Sequence, residues 1–206
     1  DIVWMVVSLA AICGGIFGIF ALLRARKRAK AKKQLAKIDY FRDAPNGGDL
    51  NVSYALGLGL KSCTDESYLA ARVLRLVTLG SLEPELEPGK KNRASMRFVR
   101  EPHNGDPFDE ALYTFLQAAA GADGVLQDRE LEDFCYDDRH AKTLSDMLES
   151  CHHQGELTLS RGGCLKGNQC RRAKDLTARG QQQRDELLGL KRYLLGFSLL
   201  AERDVK

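Results

Sequence analysis

One stretch constrains this chain more than any other. From Ile2 to Leu23 there is no charged side chain, and directly behind it come Arg24, Arg26, Lys27, Arg28, Lys30, Lys32 and Lys33. About 20 apolar residues at ~1.5 Å rise per residue match the ~30 Å hydrocarbon core of a bilayer. A helix is the single-segment form that satisfies its own backbone in lipid. Basic residues flanking a span stay on the cytoplasmic side. The expectation is therefore a transmembrane helix over residues 1–23 in a cell inner membrane, with Asp1 outside and the residues after 24 cytoplasmic. The run has no charged n-region and its positive charges follow it, so it does not read as a cleaved signal. A chain that opens on Asp1 is also expected to continue upstream. Gly14 and Gly18 stand one helical turn apart, a spacing that lets two membrane helices approach closely. The ordinary abundance of glycine in membrane helices accounts for them equally well. The cluster from Arg24 to Lys33 reads either as an anionic-lipid contact or as a plain stop-transfer signal.

The formal charge of +3 over 206 residues conceals a segregation. Eight of the 31 basic residues lie between Arg24 and Lys37, so from Ile38 onward 23 basic residues face 27 acidic ones, a net of −4. A mildly acidic body weighs against a polyanion-binding one and assigns the positive charge to a membrane surface. The six cysteines, at 13, 63, 135, 151, 164 and 170, are too scattered for a disulfide framework and read as structural thiols.

Taken in order, residues 24–48 form a basic juxtamembrane helix and linker, and residues 49–101 a first unit. Asp49 caps a short helix from Leu50 to about Leu60, and Thr64 or Asp65 caps a better one that Gly80 stops. Strand-like runs at 81–87 and 93–100 then enclose a turn. Helix, helix and hairpin outline a winged helix. Residues 106–175 repeat the order without repeating the sequence. They offer a helix from Phe108 to Ala120, a short extended piece near Val125, a short helix from Asp128, and a longer helix from Ala141 to Gln154 ended by Gly155. A strand from Glu156 to Ser160 and a glycine turn would complete a second wing. Residues 176–206 form a C-terminal amphipathic helix, apolar enough to pack on the second unit or to lie at a bilayer surface. The fold class expected is α+β, mainly α: an N-terminal transmembrane helix, two winged-helix-like units and a C-terminal helix.

Three stretches resemble the YciQ-like family of predicted bacterial membrane proteins of unknown function. They are Asp43-Ala-Pro with Asp49-Leu50 and Ser53-Tyr-Ala; Leu74-Arg-Leu-Val-Thr-Leu-Gly80-Ser-Leu-Glu; and Leu176-Thr-Ala-Arg-Gly180 with Gly189-Leu-Lys-Arg-Tyr193-Leu. The resemblance covers most of the chain and carries packing signatures, none of them catalytic. It implies an exported β-rich domain before Asp1 and further membrane helices after Lys206. It supplies no activity. The second unit is richer in Cys and His than the pattern, and Leu190 stands where Phe is common.

Cys151, His152, His153, Cys164 and Cys170 are the one cluster of metal-ligating residue types, but they lack the two-to-four-residue ligand pairs of zinc knuckles. Cys151 falls on an apolar helix face, where a thiol is a small hydrophobe. A calcium loop around Gly124 fails, because its first ligand positions would be Ala119 and Gly121. No phosphate loop and no nucleophile–base set has positional support. The candidate recognition helices set Arg72 and Arg75 against Asp65 and Glu66, and Lys142 against Asp146 and Glu149; the wing tip from Lys90 to Arg93 and the stretch from Lys166 to Lys174 are the only patches of the right sign for nucleic acid. The sequence thus points to a membrane-anchored interaction or signal-relay module and not to an enzyme. It implies no cofactor and no small-molecule substrate, and it calls for a protein partner or a homodimer, with the exposed side of Ala141–His153 as its contact face. A membrane-tethered nucleic-acid-binding protein is the first rival and a metal-binding domain the second.

Overall fold

Short polar side chains set most of the helix starts. Asp49 accepts from the amides of Asn51 and Val52, Thr64 from Ser67, Asp106 from Phe108 and Asp137 from Arg139. Each satisfies donors that a first helical turn leaves unpaired. The computed structural model describes residues 38–86 and 94–203. In chain order it contains α1 (Leu50–Gly59), α2 (Asp65–Thr78), β1 (Leu82–Leu86), β2 (Ala94–Phe98), α3 (Pro107–Ala120), β3 (Val125–Leu126), α4 (Asp128–Cys135), α5 (Asp138–Arg161) and α6 (Ala178–Arg203), with 3-10 turns at Pro45–Gly48 and Ala173–Asp175.

The three strands form one antiparallel sheet in the order β1-β2-β3, with Leu82 opposite Phe98 and Met96 opposite Leu126. Pro84 is accommodated because β1 lies at the edge, where a missing amide breaks no ladder. The core gathers Leu76 from α2, Leu82 from β1, Leu112, Tyr113 and Leu116 from α3, Leu126 from β3, and Leu148 and Cys151 from α5.

This arrangement corrects the expected fold class. Two winged-helix units were anticipated, but the third strand of the only sheet among the described residues comes from the second group of helices and pairs with the hairpin of the first. Residues 46–182 therefore fold as one compact unit. The second wing does not exist, since the strand expected over Glu156–Ser160 is the last part of α5. Gly155 misled because glycine commonly ends helices. Here it lies inside one, where a Cβ would stand 2.1 Å from the Asn51 carbonyl oxygen and 2.9 Å from the Ala55 Cβ. Glycine is present so that α5 can cross α1 with backbones nearly touching. Cys151, Gly155 and Leu159 are all buried at four-residue spacing, the period of a helix face.

The expected transmembrane helix over residues 1–23 lies outside the described residues, as do Gly14, Gly18, the cluster Arg24–Lys33 and the wing tip. Among the described residues, no helix is long and apolar enough to cross a membrane. The supportable fold class is thus a mainly helical one with a small three-stranded sheet.

A second compact unit contains the described residues 38–45 and α6 from Gln183 onward. In it Gly189 gives the extended chain room to lie on the helix, since a Cβ there would be 2.6 Å from the Asp39 carbonyl oxygen. The Arg192 guanidinium sits 4.2 Å over the Tyr40 ring and donates to the Ile38 carbonyl.

Replacing Gly155 by alanine is expected to lower stability by about 2 kcal/mol, the usual cost of overpacking a close contact. Gly167→Ala, where a Cβ meets nothing within 4 Å, serves as the neutral control. Urea denaturation of the two variants checks this; equal midpoints would refute the close crossing.

Candidate functional site

The chemistry-bearing side chains of residues 46–182 fall into two groups, one closed and one open. The closed group is centred on Arg72, which helical spacing from Tyr68 and Leu76 directs into the core of α2, where it is only 1 % exposed. Its Nη1 donates to Asp106 Oδ2 at 2.6 Å and to Asp109 Oδ1 at 2.8 Å. Its Nη2 donates to Asn51 Oδ1 at 2.6 Å, and its Nε to the Tyr68 hydroxyl at 2.9 Å. That hydroxyl donates in turn to Asn51 Oδ1 at 2.6 Å. Phe108 and Tyr68 cover the guanidinium with ring centroids 5.0 and 5.3 Å away. Asp109, fully buried, also receives Arg75 Nε at 3.1 Å and Asn104 Nδ2 at 2.6 Å. Two arginines thus meet two aspartates, and every charge in the cluster is compensated.

The electrostatics follow from the geometry. Burial works to raise the Asp106 carboxyl, but the hydrogen bond and charge of Arg72, with the Phe108 amide, outweigh it and hold the group below the usual carboxylate range. Burial raises the Tyr68 phenol, and burial with the Asp65 carboxylate raises that of Tyr54, so both stay protonated at any physiological pH. Donors and acceptors are committed to one another. The cluster fastens α1, α2 and α3 together.

The open group lies along α5. A cleft of about 770 Å³ is lined by Leu58, Gly59 and Lys61 at the end of α1, by α5 residues from Asp146 to Glu156, and by Gln169, Cys170 and Arg171. A second hollow of about 420 Å³ lies between Pro107, Phe108 and Ala111 of α3 and Thr143, Met147, Cys151 and Gln154 of α5. Asp146 and Ser150, both exposed, line the two hollows together. In the floor of the larger one, buried Glu156 accepts the Cys170 amide at 2.9 Å, and His152 Nε2 approaches the same oxygen to 3.9 Å. Burial first, then Glu156 and Asp175, push the Cys170 thiol up to about 11, so it is a poor nucleophile at neutral pH.

The five Cys and His residues nominated by the sequence do not converge. Cys151 is buried in the core, its thiol raised chiefly by burial. His152 stands edge-on to Tyr54 with ring centroids 5.9 Å apart, and His153 is exposed. Cys164 donates to its neighbouring Gly162 carbonyl at 3.7 Å, and Cys170 sits in the cleft. Among the described residues, no group of three or more His, Cys, Asp or Glu could hold a metal ion. Arg72, considered for contact with nucleic acid, is buried, and Arg75 is engaged with Asp109.

Sequence reasoning missed Glu156, which fell in the supposed strand, and the pairing of Arg72 with Asp106 and Asp109. An arginine in register with Tyr68 and Leu76 on an apolar stripe was the available signal, because a buried charge demands a partner. Comparison with protein-family models, curated proteins and solved structures finds no match to this chain.

The Asp106 carboxyl titrates lower in the folded protein than in the unfolded chain, so the stability it contributes is present above about pH 4 and lost as pH falls through the folded value. Asp106→Asn is expected to flatten the acid limb of a plot of melting temperature against pH while leaving the slope above pH 5 unchanged. Arg72→Leu, which removes the shorter ion pairs of buried Asp109 and partly exposed Asp106 and leaves them only Arg75, is expected to cost about 3 kcal/mol. Thermal unfolding of both across pH 2–7 decides it, and an unchanged acid limb in Asp106→Asn would refute the assignment.

Proposed function

We propose that this chain is a protein-interaction module with a membrane address, and that it is not an enzyme. The observation that carries the reading is the ridge on α5. Asp146 and Ser150 stand exposed between two open hollows, whereas the cluster that could have supported catalysis is consumed in holding the helices together. A ridge flanked by grooves is what an amphipathic segment of a partner, or a second copy, can grip with alternating apolar and polar contacts. The smaller hollow offers Phe108, Ala111 and Met147, and the larger one offers charges of both signs, with Asp146 and Glu149 against Lys61 and Arg171.

The membrane address rests on the sequence: seven basic residues between Arg24 and Lys33 following an uncharged run. Such a cluster adds roughly 1 kcal/mol per charge at an anionic surface. The resemblance to YciQ-like proteins supports the same placement.

Asp146→Arg and Ser150→Arg alter the ridge without touching the core, and their effect on stability is expected to stay within about 0.5 kcal/mol. Crosslinking of the full chain in its native membranes, read by mass spectrometry, should give crosslinks from α5 that either substitution abolishes. Crosslinks that persist in both variants would remove α5 as the contact face. The full chain is also expected to sediment with membranes; recovery in the supernatant would end the membrane reading.

A further inference from the structure

Charge is unevenly distributed along the sequence of the unit from residue 46 to 182. The unit contains 17 basic and 21 acidic residues, yet residues 161–179 alone hold six of the basic ones and one of the acidic ones. The remainder therefore carries 11 basic against 20 acidic residues, a net of −9, and the segment a net of +5.

The segment is held in shape. An antiparallel bridge joins Leu165 to Leu176, the Lys166 amide donates to the Asp175 carbonyl at 2.8 Å, and the Thr177 amide to the Cys164 carbonyl at 3.0 Å. Its one acid, Asp175, is turned inward as a local clasp, its Oδ2 accepting the amides of Arg171 and Arg172 at 3.2 and 2.8 Å. Glu156 fixes the Cys170 amide, and Cys164, Leu165, Cys170 and Leu176 are buried beneath. Above these anchors Arg161, Lys166, Arg171, Arg172, Lys174 and Arg179 are all exposed. Ion pairs of the unit are formed by other residues, among them Arg72, Arg75, Arg97, Arg139 and His152.

We infer that the loop at 161–179 is an electrostatic docking face for an anionic lipid surface, because it is the stretch of the unit whose net charge such a surface attracts. The inference rests on the membrane address proposed above and names the face that meets the headgroups. A bilayer fits better than a polynucleotide for two reasons on the loop itself. Residues 161–179 contain no aromatic side chain on which a base could stack. The cations are also carried by a loop, not by a helix or ribbon shaped for a groove. Attraction to an anionic leaflet needs neither feature. It needs clustered, solvated, unpaired cations near the surface.

The test is tryptic cleavage of the full chain in vesicles of phosphatidylcholine alone and of phosphatidylcholine mixed with phosphatidylglycerol. Cleavage after Arg171 and Arg172 is read relative to cleavage after Arg139, which is 86 % exposed and lies on the acidic side of the balance. The expected result is loop cleavage slowed about fivefold or more in the anionic vesicles, restored by high salt, with Lys174→Gln losing about fivefold of that protection. Equal ratios in the two vesicle types, in a chain that sediments with both, would overturn the docking face alone. A chain that sediments with neither overturns the membrane address and the docking face together. Protection by duplex DNA in neutral vesicles, with none from phosphatidylglycerol, would replace the lipid surface with a nucleic acid.

Discussion

Burial of Arg72 is the constraint on which the rest depends. A guanidinium removed from water is tolerated only where opposite charge and hydrogen-bond acceptors surround it. Those acceptors come from Asn51 on α1, Tyr68 on α2, Asp106 at the cap of α3 and Asp109 in its first turn. Asp106 performs two tasks, capping α3 through Oδ1 and pairing with Arg72 through Oδ2. The start of α3 is thereby fixed relative to α2 by the same carboxylate that makes α3 begin. Asn51 extends the network to α5, where its Nδ2 donates to Gln154 Oε1 at 3.3 Å. An apolar core alone would allow these helices to slide, since dispersion is non-directional; a fork of directed bonds does not.

The second constraint is closeness. At Gly155 the backbones of α1 and α5 approach until no Cβ fits, and at Gly59 a Cβ would stand 1.9 Å from the Cys170 carbonyl oxygen. These two glycines bring the end of α1, the middle of α5 and the Cys170 turn against one another. The cleft is what remains where the three surfaces part. Its polar floor is consistent with that origin, because a turn forced against a helix must find a partner for its amides, and Glu156 supplies one for Cys170.

Much of this was legible in the sequence, and the failures have identifiable causes. The caps at Asp49 and Thr64 are local signals, and α1 to α4 start and stop close to the expected bounds. The β1–β2 hairpin shows in the sequence as two strand-like runs around a turn, again a local signal. Pairing of β3 with β2 depends on residues about 30 positions apart, which no local pattern reports. The stretch Glu156–Ser160 shows why: its alternation fits a strand, yet Glu156 and Leu159 are buried at a spacing that also suits a helix, and the decision falls to Asn51 on a distant helix. The sequence singled out the exposed side of Ala141–His153 as a proposed contact face, and two hollows flank that stretch. The hollows were not legible, because α3, the end of α1 and the Cys170 turn supply their other walls.

The two proposed contacts share one charged residue, and that decides how they would behave together. Arg171 belongs to the basic loop and also lines the larger cleft, opposite Asp146 and Glu149. A partner that brings an acidic group into the cleft would draw on the same guanidinium that faces the headgroups, so occupancy of one contact would weaken the other. A partner presenting cations to Asp146 and Glu149 would leave Arg171 to the membrane and suffer no such penalty. By reciprocity, the change that lipid makes in partner affinity must equal the change that the partner makes in lipid affinity. Charge on the partner's cleft-binding segment thus sets the sign of the coupling, negative for an acidic segment and near zero for a basic one.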